Sequence, residues 1–118
     1  MSQRLVVSST GRVVADRLSS ARTFAKRGRG LLGRDEPGPR EALVIHRARQ
    51  VHTFGMRYPI DVCFCDRAWR VLHVVSPMRA RRLSRWVPRA AVAVEMRAGA
   101  MSFLRPGDQL SVEELSDL

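Results

Sequence analysis

Short apolar runs recur along most of the chain and predict a protein built mainly from β-strands. Residues 66–68 between two of these runs are short enough for a hairpin. Residues 77–90 contain two prolines and five arginines, which predicts a long loop. The predicted strands are 4–9 and 12–18, around a turn at Thr10-Gly11, and then 42–46, 50–54, 60–65, 69–76, 91–96 and 109–113.

One stretch changes from strand spacing to helical spacing. Apolar or small residues recur there at Leu18, Ala21, Ala25, Gly28 and Leu32. This spacing predicts a short amphipathic helix over residues 19–32, with Gly33 as its left-handed end. Residues 98–104 suggest one further helical turn. The expected fold is a single domain over residues 1–118: mainly β with a minor α part, an antiparallel β-sandwich or partly closed barrel with one short N-terminal helix.

The composition is that of an ordinary globular domain. Hydrophobic residues make up 45% and charged residues 27% of the 118 residues, which argues against global disorder. No apolar run approaches the roughly 20 residues that span a bilayer, and no continuous apolar stretch follows Met1 as in a signal peptide. We therefore expect a cytoplasmic protein without a membrane partner.

The charge is unusual, because the formal net charge is +10 and Lys26 is the only lysine among 21 basic residues. Residues 1–34 and 67–97 each hold eight basic residues and one acid. Arginine makes planar bidentate contacts with phosphate or carboxylate, so an anionic small molecule or protein partner is one interpretation. Coding bias from a G+C-rich genome is the other, and both stay open.

Four sequence blocks occur in a fixed order: RGLLG at 29–33, HTFGMRYPID at 52–61, VAVEM at 92–96 and LRPGD at 104–108. This combination resembles the bacterial family named domain of unknown function 192, over about residues 12–113. The resemblance implies a compact, mainly β domain with a short helix near its beginning. It implies no activity, because the family's name records none. Many members have an aromatic-Met-Lys-Asn-Thr segment where this chain has FGMRY at 54–58, so the basic position is kept as Arg57 and the asparagine is lost.

The segment 52–61 carries the densest set of candidate binding residues. A strand over 50–54 that is followed by Gly55 and Pro59 predicts a bend. In such a bend an arginine can hold an anion or a carboxylate as a bidentate donor, beside a histidine that titrates near neutral pH. The helix end and the late strand are expected to back this bend. The predicted ligand-binding residues are Arg29, His52, Met56, Arg57, Asp61 and Glu95.

A structural interpretation of the same segment also stays open. Asp61 can pair with Arg57 to fix the bend, while Phe54 and Met56 fill the core. A third interpretation is an enzyme in which His52 and Asp61 act as an acid/base pair. No nucleophile motif or phosphate-binding loop accompanies them, so the sequence favours binding over catalysis.

Cys63 and Cys65 share one face of a predicted strand with Asp61, and a histidine could complete a zinc site. A lone Cys-x-Cys pair does not match the spacing of known zinc-binding motifs, and residues two apart on a strand are poorly placed for a disulfide. We expect no metal, no cofactor and no disulfide.

The predicted loop near residues 79–89 interleaves arginines with a tryptophan, a composition that suits phosphates and unstacked bases. A solvated arginine-rich loop explains the same composition, and no known nucleic-acid-binding motif is present. Weak, non-specific nucleic-acid binding is therefore the alternative function. Its predicted residues are Arg79, Arg81, Arg82, Arg85, Trp86 and Arg89.

Overall fold

Eight strands form two β-sheets in the computed structural model, which describes residues 2–21, 31 and 33–115. This confirms a mainly β protein. The strands are β1 (Gln3–Val7), β2 (Val13–Ala15), β3 (Arg17–Ala21), β4 (Glu41–His46), β5 (Ile60–Cys65), β6 (Val71–Met78), β7 (Val92–Arg97) and β8 (Leu110–Glu114).

The smaller sheet has the order β2-β1-β8, and both of its pairings are antiparallel. Since β1 and β2 pair antiparallel around a turn at Gly11, whose φ is +73°, the predicted hairpin between them is confirmed. Leu5 and Val7 on β1 are buried, which gives this sheet its apolar face.

The larger sheet has the order β3-β4-β7-β5-β6. The predicted β5–β6 hairpin is confirmed, and β4, β7 and β5 pair antiparallel. β3 and β4 run parallel, with Arg17 opposite Glu41, so the expectation of a wholly antiparallel fold is wrong at this edge. The two sheets do not close into a barrel.

The larger sheet is covered on both faces, which explains why all six residues of β5 are buried. Its inner face, with Cys63 and Val94, packs against the smaller sheet. Its outer face, with Val62, Phe64 and Ala93, packs against loops instead of a second sheet. Successive residues of a strand point to opposite faces, so β5 and β7 contribute side chains to both layers.

The predicted helix over 19–32 is wrong at its beginning. Ser19, Ser20 and Ala21 belong to β3, where they pair with β4 along five successive positions of the strand. Residues 22–30 and 32 lie outside the described residues. No helix occurs in the part of the chain that the structure describes, and hence no helix there is long and apolar enough to cross a membrane.

Two further local expectations are corrected. Residues 50–54 do not form a sheet strand, because only His52 makes an isolated bridge, to Leu83. Residues 98–103 form consecutive turns instead of a helical turn. The backbone of residues 50–54 forms hydrogen bonds with the loop at 81–84 instead of with a sheet. The backbone of residues 98–103 forms hydrogen bonds within tight turns instead of a helix.

Candidate functional site

A cavity of about 1090 Å³ lies on the outer face of the larger sheet. Its walls come from the end of β4, the loops on either side of β5 and the loop before β7. Apolar side chains form much of its surface: Leu31, Ile45, Ala48, Val51, Met56, Ala68, Trp86, Pro88, Ala90 and Ala91. The polar lining residues are Arg47, Arg49, Gln50, His52, Asp66, Arg67, Arg89 and Glu95.

Glu95 is the buried acid of this cavity, with only 3% of its surface exposed. It projects from β7 on the same face as Ala93, opposite Val62 of β5 and Leu43 of β4. The Leu31 N–H donates a hydrogen bond of 3.3 Å to its Oε1. Burial raises the pKa of Glu95 to about 7, although this hydrogen bond pulls the pKa in the opposite direction. The carboxyl group therefore changes its protonation state near neutral pH.

Tyr58 holds the segment that donates to Glu95. Its hydroxyl lies 3.5 Å from the carbonyl oxygen of Leu31, 3.1 Å from that of Arg34 and 3.2 Å from that of Asp35. Burial raises the pKa of Tyr58, so the hydroxyl keeps its proton as a donor. This contact anchors residues 31 and 33–35 beside the cavity.

Exposed arginines surround the cavity on several sides. They are contributed by separate loops, and the two acids among the lining residues are Asp66 and Glu95. Asp66 Oδ1 accepts hydrogen bonds from the N–H groups of Ala68 at 2.9 Å and Arg70 at 3.0 Å, which fixes the tight turn after β5. The arginines outnumber the acids, so the opening of the cavity is positively charged. The arginines are Arg47, Arg49, Arg67 and Arg89.

The structure brings three of the predicted ligand-binding residues to this cavity: His52, Met56 and Glu95. His52 is exposed and stacks on Phe54, with 5.5 Å between the ring centroids. The chain turns directly afterwards at Gly55, whose φ is +84°. Arg57 is exposed but does not line the cavity, and Arg29 lies outside the described residues.

Asp61 lies on the inner face, away from the cavity. It is fully buried, and its Oδ2 accepts a 2.8 Å hydrogen bond from the Met101 N–H, while Oδ1 has no hydrogen-bond partner among the described residues. Asp61 therefore anchors the turns between β7 and β8. It makes no hydrogen bond with His52, so the acid/base pair considered from the sequence is not assembled.

The two thiols face the same inner core. Cys63 and Cys65 are free and buried, with 3.7 Å between their sulfur atoms. The hydrogen bond with Cys63 and burial raise the pKa of Cys65, which keeps this thiol protonated and unreactive. Within residues 2–21, 31 and 33–115, no cluster of three or more His, Cys, Asp or Glu residues is arranged to hold a metal ion.

The six residues predicted for nucleic-acid binding are all exposed. Trp86 and Arg89 also line the cavity, whereas Arg79, Arg81, Arg82 and Arg85 do not. The loop that carries them is therefore continuous with the cavity wall.

Sequence reasoning missed Arg47, Arg49 and Arg67 as cavity residues. Arg47 and Arg49 lie within three residues of the end of β4, and Arg67 lies two residues after β5, so each is in the loop that follows a buried strand. Polar residues at that position were the available signal, but in a chain with twenty arginines it did not stand out.

Two solved structures share this fold. A protein of unknown function from Novosphingobium aromaticivorans DSM 12444 superposes with a TM-score of 0.79 at 21% identity, covering 94% of this chain and 84% of that chain. A protein from Sinorhizobium meliloti 1021, described as a candidate transcription regulator, superposes with a TM-score of 0.78 at 21% identity, covering 94% of this chain and 92% of that chain. Likeness at this identity shows the fold alone.

The chain matches none of the curated proteins. The model of the family DUF192, described as "Uncharacterized ACR", matches residues 5–112. The matched residues include all four sequence blocks. Because the match spans most of the chain, the protein belongs to the DUF192 family.

Proposed function

We propose that the protein is a binding module for a small anionic ligand with an apolar body, and that the cavity on the outer face is its binding site. The observation that carries the proposal is the lining of this cavity. Apolar side chains, a rim of arginines and one buried carboxyl group line an open cavity of about 1090 Å³. Ligand sites are typically apolar clefts with a few polar groups that fix the orientation of the ligand.

The rim selects the charge of the ligand. Arg49, Arg67 and Arg89 are exposed, so they remain able to form bidentate contacts with a carboxylate, sulfonate or phosphate. One carboxylate oxygen of Asp66 already accepts two hydrogen bonds from the backbone of its own turn. A cationic ligand would meet repulsion at the opening.

Glu95 gives the site a second point of recognition. Because its pKa is about 7, the carboxyl group can donate a hydrogen bond when protonated and accept one when ionised. An apolar ligand body that ends in a hydroxyl, amine or carbonyl group can therefore pair with it. We expect the anionic group of the ligand to lie at the rim and its hydrogen-bonding group to lie near Glu95.

The fluorescent probe anilinonaphthalene sulfonate tests this proposal, since it combines an aromatic body, an N–H group and an anion. The uncharged probe phenylnaphthylamine lacks the sulfonate and serves as the comparison. The double variant Arg49→Ala/Arg67→Ala is expected to weaken binding of the sulfonate probe about tenfold, equivalent to about 1.4 kcal/mol, and to leave the uncharged probe unaffected. Ala48→Phe, which fills the cavity, is expected to weaken binding of both probes.

The matched control is Arg12→Ala/Arg17→Ala, which removes the same charge at positions that do not line the cavity. It should leave both affinities near those of the wild type. Equal weakening of the sulfonate probe by the control and the rim variant would show that only net charge matters. Unchanged binding in a folded Ala48→Phe protein would also contradict the proposal.

A further inference from the structure

Two segments of the described chain lie side by side next to the cavity and form a second surface, here called the arginine ribbon, which comprises residues 49–54 and 79–89. They are joined by an antiparallel bridge between His52 and Leu83. Four backbone hydrogen bonds of 2.8–3.1 Å connect them. The N–H groups of Thr53, Arg81, Ser84 and Val87 donate to the carbonyl oxygens of Arg82, Thr53, Val51 and Arg49, respectively.

Thr53 is the fixed point of this ribbon. It is fully buried, and its hydroxyl oxygen accepts a 2.9 Å hydrogen bond from the Arg82 N–H in addition to the backbone pairing. Its hydroxyl group also donates to the carbonyl oxygen of Arg79. The exposed arginine side chains therefore project from a backbone that is held in place.

The outward side of the ribbon is both apolar and aromatic. Phe54 is 52%, Leu83 59% and Trp86 56% exposed, and they are the large hydrophobic residues with this degree of exposure among residues 2–21, 31 and 33–115. Large apolar side chains that are concentrated on one surface mark an interaction site more strongly than scattered ones.

The charge of the ribbon is of one sign. Residues 79–89 contain five arginines, and neither segment of the ribbon contains an aspartate or a glutamate. The arginines alternate with the apolar residues, because Arg82 precedes Leu83 and Arg85 precedes Trp86. Exposed cations and exposed apolar groups are thus interleaved along residues 79–89.

We infer that the arginine ribbon binds single-stranded nucleic acid. A single strand presents a phosphate and an unpaired base in every nucleotide, which complements this interleaving of cations and apolar groups. Arginines neutralise the phosphates, and the ring of Trp86 and the stacked rings of His52 and Phe54 offer platforms for bases.

Fluorescence anisotropy with labelled oligo-dT and oligo-U of about twelve nucleotides tests this inference at low salt. If the five arginines of residues 79–89 contact phosphates, the logarithm of the affinity falls with the logarithm of the salt concentration with a slope of about −3.5. Arg81→Ala/Arg82→Ala is expected to weaken binding at least tenfold and to reduce the slope to about −2. Trp86→Ala is expected to weaken binding about tenfold, and Trp86→Phe to restore most of it. Comparison of the two oligonucleotides reports any preference between DNA and RNA.

Arg81 and Arg82 do not line the cavity, so their variant should bind anilinonaphthalene sulfonate like the wild type. The two proposals can therefore fail separately. The control Arg12→Ala/Arg17→Ala carries the same charge change and should keep its affinity for the oligonucleotides. Four results would overturn the inference: no binding at low salt, equal losses in the control and the ribbon variant, tighter binding of a duplex of the same length, or tighter binding to phosphatidylserine vesicles.

Discussion

Among the residues that the structure describes, each face of the larger sheet buries one carboxylic acid, and the two acids have different surroundings. Asp61 of β5 lies between the sheets, and Glu95 of β7 lies under the loops of the outer face. Asp61 accepts a hydrogen bond of 2.8 Å from Met101, whereas the bond from Leu31 to Glu95 measures 3.3 Å. Glu95 lines a cavity and Asp61 does not.

The difference follows from what covers each face. The second sheet packs a regular apolar surface against the inner face. A buried acid is tolerated there because it accepts a hydrogen bond from the backbone. Irregular loops cover the outer face less completely and leave a cavity beside the acid. The inner acid is therefore a stability element, and the outer acid is the one that lines a cavity.

The largest expected effect is on the inner face, in the variant Asp61→Ala. It removes the acceptor of the buried Met101 N–H and leaves a small void, so we expect the free energy of unfolding to fall by about 3 kcal/mol. Urea unfolding at neutral pH measures this change.

Asp61→Asn is the matched control, since its carbonyl oxygen can still accept the Met101 N–H. It should retain more stability than Asp61→Ala, and the folded fraction of either variant should bind the fluorescent probes like the wild type. An alanine variant as stable as the wild type would remove the anchoring role from Asp61.

The next largest effect is on the outer face, where a substitution is expected to raise the free energy of unfolding instead of lowering it. Burial raises the pKa of Glu95 in the folded state to about 7, from an ordinary value of 4.5. Between these values the folded state holds a proton that the unfolded state has released, so the free energy of unfolding falls as the pH rises. Glu95→Gln is expected to raise the stability at pH 8 by about 2–3 kcal/mol and to have little effect near pH 4.5.

Thermal unfolding of the wild type and Glu95→Gln across this pH range measures the effect. Glutamine retains an oxygen that can accept the Leu31 N–H, so the variant isolates the ionisation of residue 95. If the two proteins differ by the same amount at every pH, the titration of Glu95 does not contribute to stability in this window.

The sequence predicted where the strands lie better than which segments pair with each other. Apolar runs such as 60–65 and 91–96 become β5 and β7 because both faces of the larger sheet are buried, which leaves a strong local signal. Residues 19–21 gave the wrong prediction because pairing with β4, far along the chain, decides their conformation. Residues 50–54 failed for the same reason, since their partners lie in the loop at 81–87.

The candidate site was predicted only in part, and the two acids show why. Alternation along a strand tells which residues share a face, but it does not tell which face receives a second sheet and which receives loops. Glu95 and Asp61 were therefore grouped in one site, although they belong to opposite faces. The rim arginines were missed because their positions depend on how separate loops meet.

The pH dependence of binding of anilinonaphthalene sulfonate tests the central claim most directly, namely that Glu95 belongs to a ligand site on the outer face. Ionisation of Glu95 places a negative charge in the cavity and disfavours an anionic ligand. We predict that the affinity of the wild type falls as the pH rises through about 7 and that Glu95→Gln, which changes no other ionisable group, shows a smaller fall. Identical pH profiles for the two proteins would contradict the account.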